Sequence, residues 1–591
     1  MKYKRYGKNV LALALGLGMT LGLFSGCGSS ETDNASKGGN KTVKVADDTD
    51  NAFKDNDDLY QDDDSSVETM YLTVSQGNAS ENTNHTWNEI NTYSVYDYQN
   101  MGVKKYQVEG LLQIGTGNGN ELDPNGLGYY RTTPNCRVSI RGQSSSRSNV
   151  KSYKIKLDDE AGDWNGNTVI NLNKHVNDGM RFRNKLMYDL QSEVDAMVSL
   201  QTKFVHLYVK DDTGDGGDGL FHDYGLYTYV EQPNKDFLKR HGLDRFGHLY
   251  KENQMFEFRK YDEIKLTSDS DYNADDFAYY LETKGDTDHT KLINMLTDVN
   301  DATVSPDEVL DKWFDRDNLA TWLAFNILTG NTDTQSRNTL IYSPLNSNTW
   351  YLMDWDCDGA FLRNEDKVKG EAYSDYGWEK GITNYWGNSL FQKAFKSESF
   401  RTLLDKKIDD LYKGVLSPDK VQAKADELAG IVKPYVYGSD KLNARLTEEQ
   451  YDSVEAGIGA EVTENYELYK KSLEDPEPFY IEKPEISDGN VRFTWDASFD
   501  FQKDELLYSF MLANNLNFDN PIATADNLYA TEYDYVGTLS PGQYFIKVTV
   551  ADSDGNTNPA FDYYLDENSV KHYGTVCFYV EADGTVRLDG E

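Results

Sequence analysis

Gly330-Asn331-Thr332-Asp333-Thr334-Gln335-Ser336-Arg337-Asn338, followed after an alternating stretch by Leu352-Met353-Asp354-Trp355-Asp356-Cys357-Asp358-Gly359, is the part of the chain that decides the fold. Upstream, Ser305-Pro306-Asp307-Glu308 has the form of a capping box with proline at the first helical position. Leu319, Trp322, Leu323 and Ile327 then recur at helical spacing, which predicts a long amphipathic helix ending at Gly330, a residue suited to a left-handed stop. Residues 339–342 and 349–353 alternate around Pro344-Leu345-Asn346-Ser347-Asn348, so they read as a hairpin. Helix, Asp loop with a trailing Asn, hairpin and Asp triplet together bring Asp333 and Asp356 back to one end of a sheet.

Working toward the N-terminus, residues 137–141 and 152–157 alternate as strands around Gly142-Gln143-Ser144-Ser145-Ser146, and residues 204–210 are expected to pair with 225–231 across an acidic, Gly-rich insertion. Strands dominate the first half of the central region and helices the second. Toward the C-terminus, Asp475-Pro476-Glu477-Pro478 marks a boundary beyond which short alternating segments replace Lys-rich helical sequence. Leu539-Ser540-Pro541-Gly542-Gln543-Tyr544 and the following strand are similar to the tyrosine corner of a fibronectin type III or immunoglobulin-like sandwich, with Trp495 as a core residue. Asp552-Ser553-Asp554-Gly555-Asn556 has the chemistry of a tight turn, with Ca²⁺ ligation as the alternative. The expected class is therefore α+β, a central domain over 69–475 followed by an all-β domain over 476–591.

Charge and the N-terminus set the surroundings. The 591-residue chain carries 59 basic and 99 acidic residues, a formal charge of −40, which argues against nucleic acid and anionic membrane surfaces as partners. Lys2, Lys4, Arg5 and Lys8 precede an apolar run over 10–24 that stops at Ser25-Gly26-Cys27, a pattern of export that resembles a bacterial lipoprotein signal over 1–27 with Cys27 as the lipidated residue. Residues 28–68 are rich in Ser, Gly, Asn and Asp and are expected to form an acidic, disordered tether. Cys136, Cys357 and Cys577 are widely spaced, and neither a zinc site nor a disulfide framework is indicated.

Phosphoryl transfer explains the opening stretch. In protein kinases a loop Asp accepts the proton of the substrate hydroxyl, an Asn five positions later holds one Mg²⁺, and an Asp after the next hairpin holds the other. Asp333, Asn338 and Asp356 occupy those places, and Asp358 is a further candidate metal ligand. Asp354 either joins them or bonds within the loop.

At this point the central region resembles the spore-coat CotH kinase family, secreted or surface proteins with an atypical protein-kinase-like fold. The resemblance rests on Ile140-Arg141-Gly142-Gln143-Ser144-Ser145, the Lys151-Ser152-Tyr153-Lys154 strand, Arg183-Asn184-Lys185-Leu186, Tyr224-Gly225-Leu226-Tyr227 with Glu231, Leu249-Tyr250-Lys251, Gly330-Asn331-Thr332-Asp333 and Trp355-Asp356-Cys357-Asp358. It implies that Arg141, Ser144 and Ser145 hold the phosphates of ATP, that Lys154 is the phosphate lysine with Lys151 and Lys156 as rivals, that Glu193 is a candidate partner for that lysine, and that Glu231 lines the nucleotide pocket. The expected activity is ATP- and Mg²⁺- or Mn²⁺-dependent transfer to Ser or Thr of surface or secreted proteins by a lipid-anchored extracellular kinase. A catalytically inactive cell-surface scaffold or adhesin, with carbohydrate as a partner, is the alternative. No His-Arg precedes Asp333, and Cys357 and Gly359 depart from the usual residues around the second Asp.

Overall fold

The computed structural model describes residues 53–590 except 62–64, 118–120, 215–216, 371–375, 488 and 569. The expected signal, the lipidated Cys27 and the tether up to residue 52 lie outside the described residues. Among the described residues no helix is long and apolar enough to cross a membrane.

Seven strands close a barrel: β1 (Val67–Ser75), β2 (Val108–Gly115), β3 (Cys136–Arg141), β4 (Ser152–Leu157), β5 (Val169–Asn173), β6 (Thr202–Asp212) and β7 (His222–Val230). Neighbours run antiparallel except for the closing pair, in which β1 lies parallel to β6 with Leu72 opposite Val209. Val138, Ile140, Tyr153, Ile155 and Leu172 alternate inward, so the barrel is filled by its own side chains. The outward-facing alternates on β4 are Lys154 and Lys156.

A second sheet takes β8 (His248–Glu252), β9 (Leu281–Thr283), β10 (Thr339–Ser343) and β11 (Tyr351–Asp354) in the order β11-β10-β8-β9. The expected hairpin is β10 and β11, with Thr339 opposite Asp354. Behind it, the helical stretch differs from the single amphipathic helix expected. The capping box is formed, with Ser305 and Glu308 bonding reciprocally, but it starts a short helix, Pro306–Trp313. Asp315 then caps a second, Arg316–Leu328, whose residues from Asn318 to Leu328 are all buried. A helix enclosed on every side needs no polar face, which is why its apolar residues overrun the amphipathic stripe.

The acidic stretch before β1 also departs from expectation. Phe53 is 1% exposed and stacks on Tyr351 with ring centroids 4.3 Å apart. The Asp55 carboxylate accepts from Tyr60 Oη at 2.7 Å and from the Ser199 backbone N–H at 3.0 Å, and it pairs with His241. Residues 53–61 of the predicted tether are thus part of the folded body, because one buried aromatic and one paired carboxylate offset the ordering cost that composition alone suggested.

After the helix Ile458–Ser472 the chain enters β12 (Glu485–Ser487), β13 (Asn490–Thr494), β14 (Leu507–Ala513), β15 (Ala523–Leu528), β16 (Glu532–Tyr535), β17 (Gly542–Ala551), β18 (Thr557–Pro559), β19 (Tyr563–Leu565), β20 (Lys571–Tyr573), β21 (Thr575–Val580) and β22 (Val586–Leu588). A three-stranded sheet, β12-β13-β16, and a larger one around β14 and β17 share a core that includes Phe493, Trp495, Phe510, Ile546 and Phe578. Tyr544 Oη donates to the Ser540 carbonyl at 2.8 Å, the bond a tyrosine corner makes.

Candidate active site

The second sheet and the buried helix Arg316–Leu328 hold the acidic half of the site. Gly330 takes φ +64° and turns the chain into the 3₁₀ turn Thr332–Gln335, which carries Asp333. Asn338 and Asp356 flank the hairpin, and both adopt left-handed backbone, φ +59° and +55°. Asn and Asp are the side-chain-bearing residues that tolerate this region best, and non-glycine residues held there concentrate at functional sites. Asn338 Nδ2 reaches the Asp356 carbonyl at 3.4 Å, and the Trp355 N–H donates to the Asn338 carbonyl at 2.9 Å, so the two ends of the hairpin are tied together.

The Asp356-Cys357-Asp358 turn is clamped from the helix Arg183–Gln191. The Cys357 N–H donates to Asn184 Oδ1 and the Asp356 N–H to Tyr188 Oη, each at 3.1 Å. On the same helix, fully buried Arg183 donates to Asp178 at 2.7 Å and to Glu365 at 2.6 Å. The Arg-Asn-Lys-Leu motif is therefore the support of the acidic turn. Asp354 is a structural residue: buried in the core, it accepts from Asn326 Nδ2 at 3.0 Å and from Gln191, and burial pushes its carboxyl up to about 7. Cys357 is buried, and burial followed by the charge of Asp354 pushes its thiol well above the usual range, which leaves it no nucleophilic character.

Asp358 is half-buried. Burial, then the charges of Asp356, Asp178 and Asp333, push its carboxyl well above the usual range, with Arg183 opposing. Asp333, Asp356 and Asp358 thus face one another electrostatically. They are not a ready-made metal cage: among the described residues the three-carboxylate group with oxygens within 4.8 Å of one another is Asp500, Asp504 and Asp552. A site of few carboxylates and one amide suits Mg²⁺, which keeps waters and takes substrate phosphates as ligands.

Across from the carboxylates lies a basic wall. Arg141, at the end of β3, sits with its guanidinium 6.0 Å from the Trp355 ring centroid, and Lys251 of β8 places Nζ 5.4 Å from the same ring. Burial pushes the Arg141 guanidinium down to about 10, opposed by Asp356 and Tyr188, and it stays charged. Burial likewise lowers Lys251, opposed by Glu282 and Asp356. Lys154, half-buried on β4, is lowered by burial and then by Lys284, Lys105 and Arg141, against Glu282. A chain with a net charge of −40 concentrates five cations here.

The rival lysines are placed elsewhere. Lys151 Nζ donates to the Ser146 carbonyl at 2.7 Å and so buttresses the loop, and Lys156 is exposed. Ser144 and Ser145 lie in the 3₁₀ turn Ser144–Arg147 that follows Arg141. Gly142 has φ +87°, and a Cβ there would lie 2.1 Å from Ser145 Oγ, so the turn requires glycine. Two expectations are corrected. Glu231 does not line this site: it is fully buried and its oxygens are taken, paired with Arg240 at 2.7 Å and His241 at 3.0 Å and accepting the Gln201 N–H at 3.0 Å. Glu193 is exposed beyond the end of its helix, and the carboxylate facing Lys154 is Glu282.

His175 was not foreseen. It is buried with φ +49°, Asp356 and Arg141 lie in its field, and burial lowers its imidazole to about 4, so it is neutral. Asp178, Tyr188, Lys105, Lys284 and Glu282 were also missed; each is an ordinary residue in the sequence and gains meaning only from what faces it. Lys251 was visible as part of a motif, without a role.

A family model described as CotH kinase protein matches residues 138–473, which begin within β3 and leave β1 and β2 outside. Invasin CotH3 of Rhizopus delemar is 28% identical over 121 residues, 19% of this chain and 20% of that protein, so the chain spans about a fifth of this curated relative. Among solved structures, a HipA–HipB–operator DNA complex from Shewanella oneidensis MR-1 overlaps 51% of this chain and 58% of its own at 12% identity and a TM-score of 0.21. The twitchin kinase region of C. elegans overlaps 69% and 70% at 11% identity and a TM-score of 0.16. Superpositions that loose carry no structural argument.

Proposed function

The chain belongs to the CotH kinase protein family, and from that premise we propose that it is a protein kinase that transfers phosphate from Mg-ATP, or Mn-ATP, to Ser or Thr hydroxyls of surface or secreted proteins. The observation that carries this reading is the opposition of two half-sites: Asp333, Asn338, Asp356 and Asp358 on one side, Arg141, Lys154 and Lys251 on the other. The donor set fits the ligands. Hard oxygens of Asn338, Asp356 and Asp358 would hold the divalent ion, and the cations, with the backbone and hydroxyls of Ser144 and Ser145, would hold a triphosphate. When bound, the metal and nucleotide supply an activated phosphoryl group and neutralise its charge.

The protein's own work is positioning. Asp333 stands on a turn fixed by a buried helix and would orient the acceptor hydroxyl and take its proton. Its pairing with Arg337 at 2.9 Å is a half-exposed, i,i+4 contact, so it holds Asp333 only weakly against an incoming hydroxyl. The domain boundaries at 69–475 and 476–591, a kinase-like central fold, a sandwich-type C-terminal module, and export with lipid anchoring through Cys27 belong to the same proposal.

The test is nucleotide binding and phosphate transfer with Mg²⁺ or Mn²⁺ for the parent, Asp333→Ala and Asp356→Ala. Asp356→Ala is expected to lose metal-dependent nucleotide binding and transfer together, whereas Asp333→Ala keeps binding and loses transfer by about 100-fold or more. A parent that neither binds nucleotide nor labels itself or an acidic acceptor protein overturns the kinase reading, and full transfer by both variants overturns the assignment of residues.

A further inference from the structure

We propose that the chain carries a Ca²⁺ site, separate from the kinase-like centre, where the boundary segment after the last helix meets the C-terminal sheets, built from Asp500, Asp504 and Asp552 with Glu477 as the adjoining buried carboxylate. Asp500 and Asp504 lie on the connection between β13 and β14, and Asp552 directly follows β17, so three residues from two loops bring carboxylate oxygens within 4.8 Å of one another. Opposed ligands of Ca²⁺ stand about 4.6–5.2 Å apart, a spacing that this grouping can supply.

Burial provides the independent argument. Asp500 and Asp552 are each 6% exposed, and Glu477 is 0% exposed. Asp500 Oδ2 and both carboxylate oxygens of Glu477 have no hydrogen-bond donor among the described residues. The remaining oxygens are oriented: Asp500 Oδ1 accepts the Asp504 N–H at 3.0 Å, Asp552 accepts the backbone N–H and Nδ2 of Asn556 at 2.8 Å each, and Asp504 Oδ1 accepts from Ser553 Oγ at 3.1 Å. The Glu477 N–H donates to the Phe499 carbonyl at 2.7 Å, which fixes the boundary segment against the loop that carries Asp500. Of the nearby cations, Lys380 is paired with Asp475 at 3.0 Å, and Lys396 opposes only in part the burial and the charges of Asp475 and Asp500 that push the Glu477 carboxyl well above the usual range.

The three buried oxygens without donors, Asp500 Oδ2 and the pair on Glu477, are costly as charges unless a cation answers them. A bound divalent ion would be the largest local charge and would remove that cost. An all-protein cage of carboxylates suits Ca²⁺ better than Mg²⁺, which prefers to keep its waters. The ion would fasten the segment around Glu477 to two loops of the C-terminal sheets. Asp554, exposed in the same turn, stands outside the group.

The experiment uses the purified full chain, with thermal melts in EDTA, CaCl2 and MgCl2, and terbium luminescence displaced by Ca²⁺. At 5 mM Ca²⁺ the melting transition of the parent is expected to rise by about 5 °C or more relative to EDTA, with a smaller rise in Mg²⁺. Asp500→Asn and Asp552→Asn should lose both the rise and the displaceable luminescence, while Asp554→Asn keeps them. Because Asn relieves the buried repulsion and its Oδ1 still accepts the Asp504 N–H, Asp500→Asn should melt in EDTA no lower than the parent, which shows that it folds, whereas Asp552→Asn forfeits one of the two bonds from Asn556 and should melt lower in EDTA with an unchanged cooperative transition. Equal melting of the parent in EDTA and Ca²⁺, undiminished Ca²⁺ binding by Asp500→Asn, or an equal response to Mg²⁺ would overturn the proposal.

Discussion

Replacing Asn184 by Ala tests whether the acidic turn is held from the helix Arg183–Gln191. Asn184 Oδ1 is the acceptor for the Cys357 N–H at 3.1 Å, and both residues are buried, at 1% and 0% exposure. Removing it leaves a buried N–H without a partner, a loss of about 1–3 kcal/mol. The neighbouring Asp356 is already held at φ +55°, which costs roughly 1–2 kcal/mol more than ordinary helical backbone. Its own N–H depends on Tyr188 Oη at 3.1 Å. The clamp is therefore what keeps a strained turn in place, and its loss should free Asp356 and Asp358 to wander.

Asn184→Ala is expected to lower the melting temperature by about 2–10 °C and to weaken Mg-nucleotide binding about tenfold, equivalent to roughly 1.4 kcal/mol. Tyr188→Phe should do the same. Because the two bonds restrain adjacent residues, the double variant should depart from additivity by about 0.5–3 kcal/mol. Melting by circular dichroism and nucleotide titration by calorimetry measure both effects. Single variants that stay within about 0.5 kcal/mol of the parent, or a double variant that is additive with unchanged nucleotide binding, would refute the clamp.

Two further outcomes follow from the folded segment before β1, which carries Phe53 and Asp55. Burial would push the His241 imidazole down, but Glu231 and Asp55 more than offset it and raise it from 6.5 to about 9. A raised cation stabilises fully below about pH 6.5 and loses its contribution as pH climbs through about 9, so melting temperature should fall between pH 7 and 9.5 in the parent and much less in Glu231→Gln. Phe53→Ala should cost about 3–5 kcal/mol, read as a lower melting temperature, where a disordered residue at that position would cost nothing.

The order of groups from Gly330 to Gly359 was legible because each has a local cause: a glycine for the left-handed stop, turn residues between alternating strands, and Asp and Asn where backbone φ is positive. The strand pairs β3–β4 and β6–β7 were legible for the same reason, since period-two alternation is written in neighbours. The burial that encloses Arg316–Leu328 on all sides was not, because it depends on elements far along the chain. Glu231 shows the same limit: its motif read as pocket lining, yet His241 and Arg240 claim both of its oxygens.

What the sequence by itself determined, then, are local conformations and the chemical types available: carboxylates and an amide on one hairpin, a Gly-Ser loop with basic residues on a pair of strands, and a strongly acidic composition. Tertiary structure alone decided which of these meet. Lys154 and Lys251 come from different sheets and share the field of Glu282, Asn184 reaches Cys357 across 173 positions, and Glu477 is brought beside Asp500. Electrostatic and hydrogen-bonding partners act over a few ångströms in space, and no spacing along the chain encodes that distance until the barrel, the buried helix and the C-terminal sheets have packed.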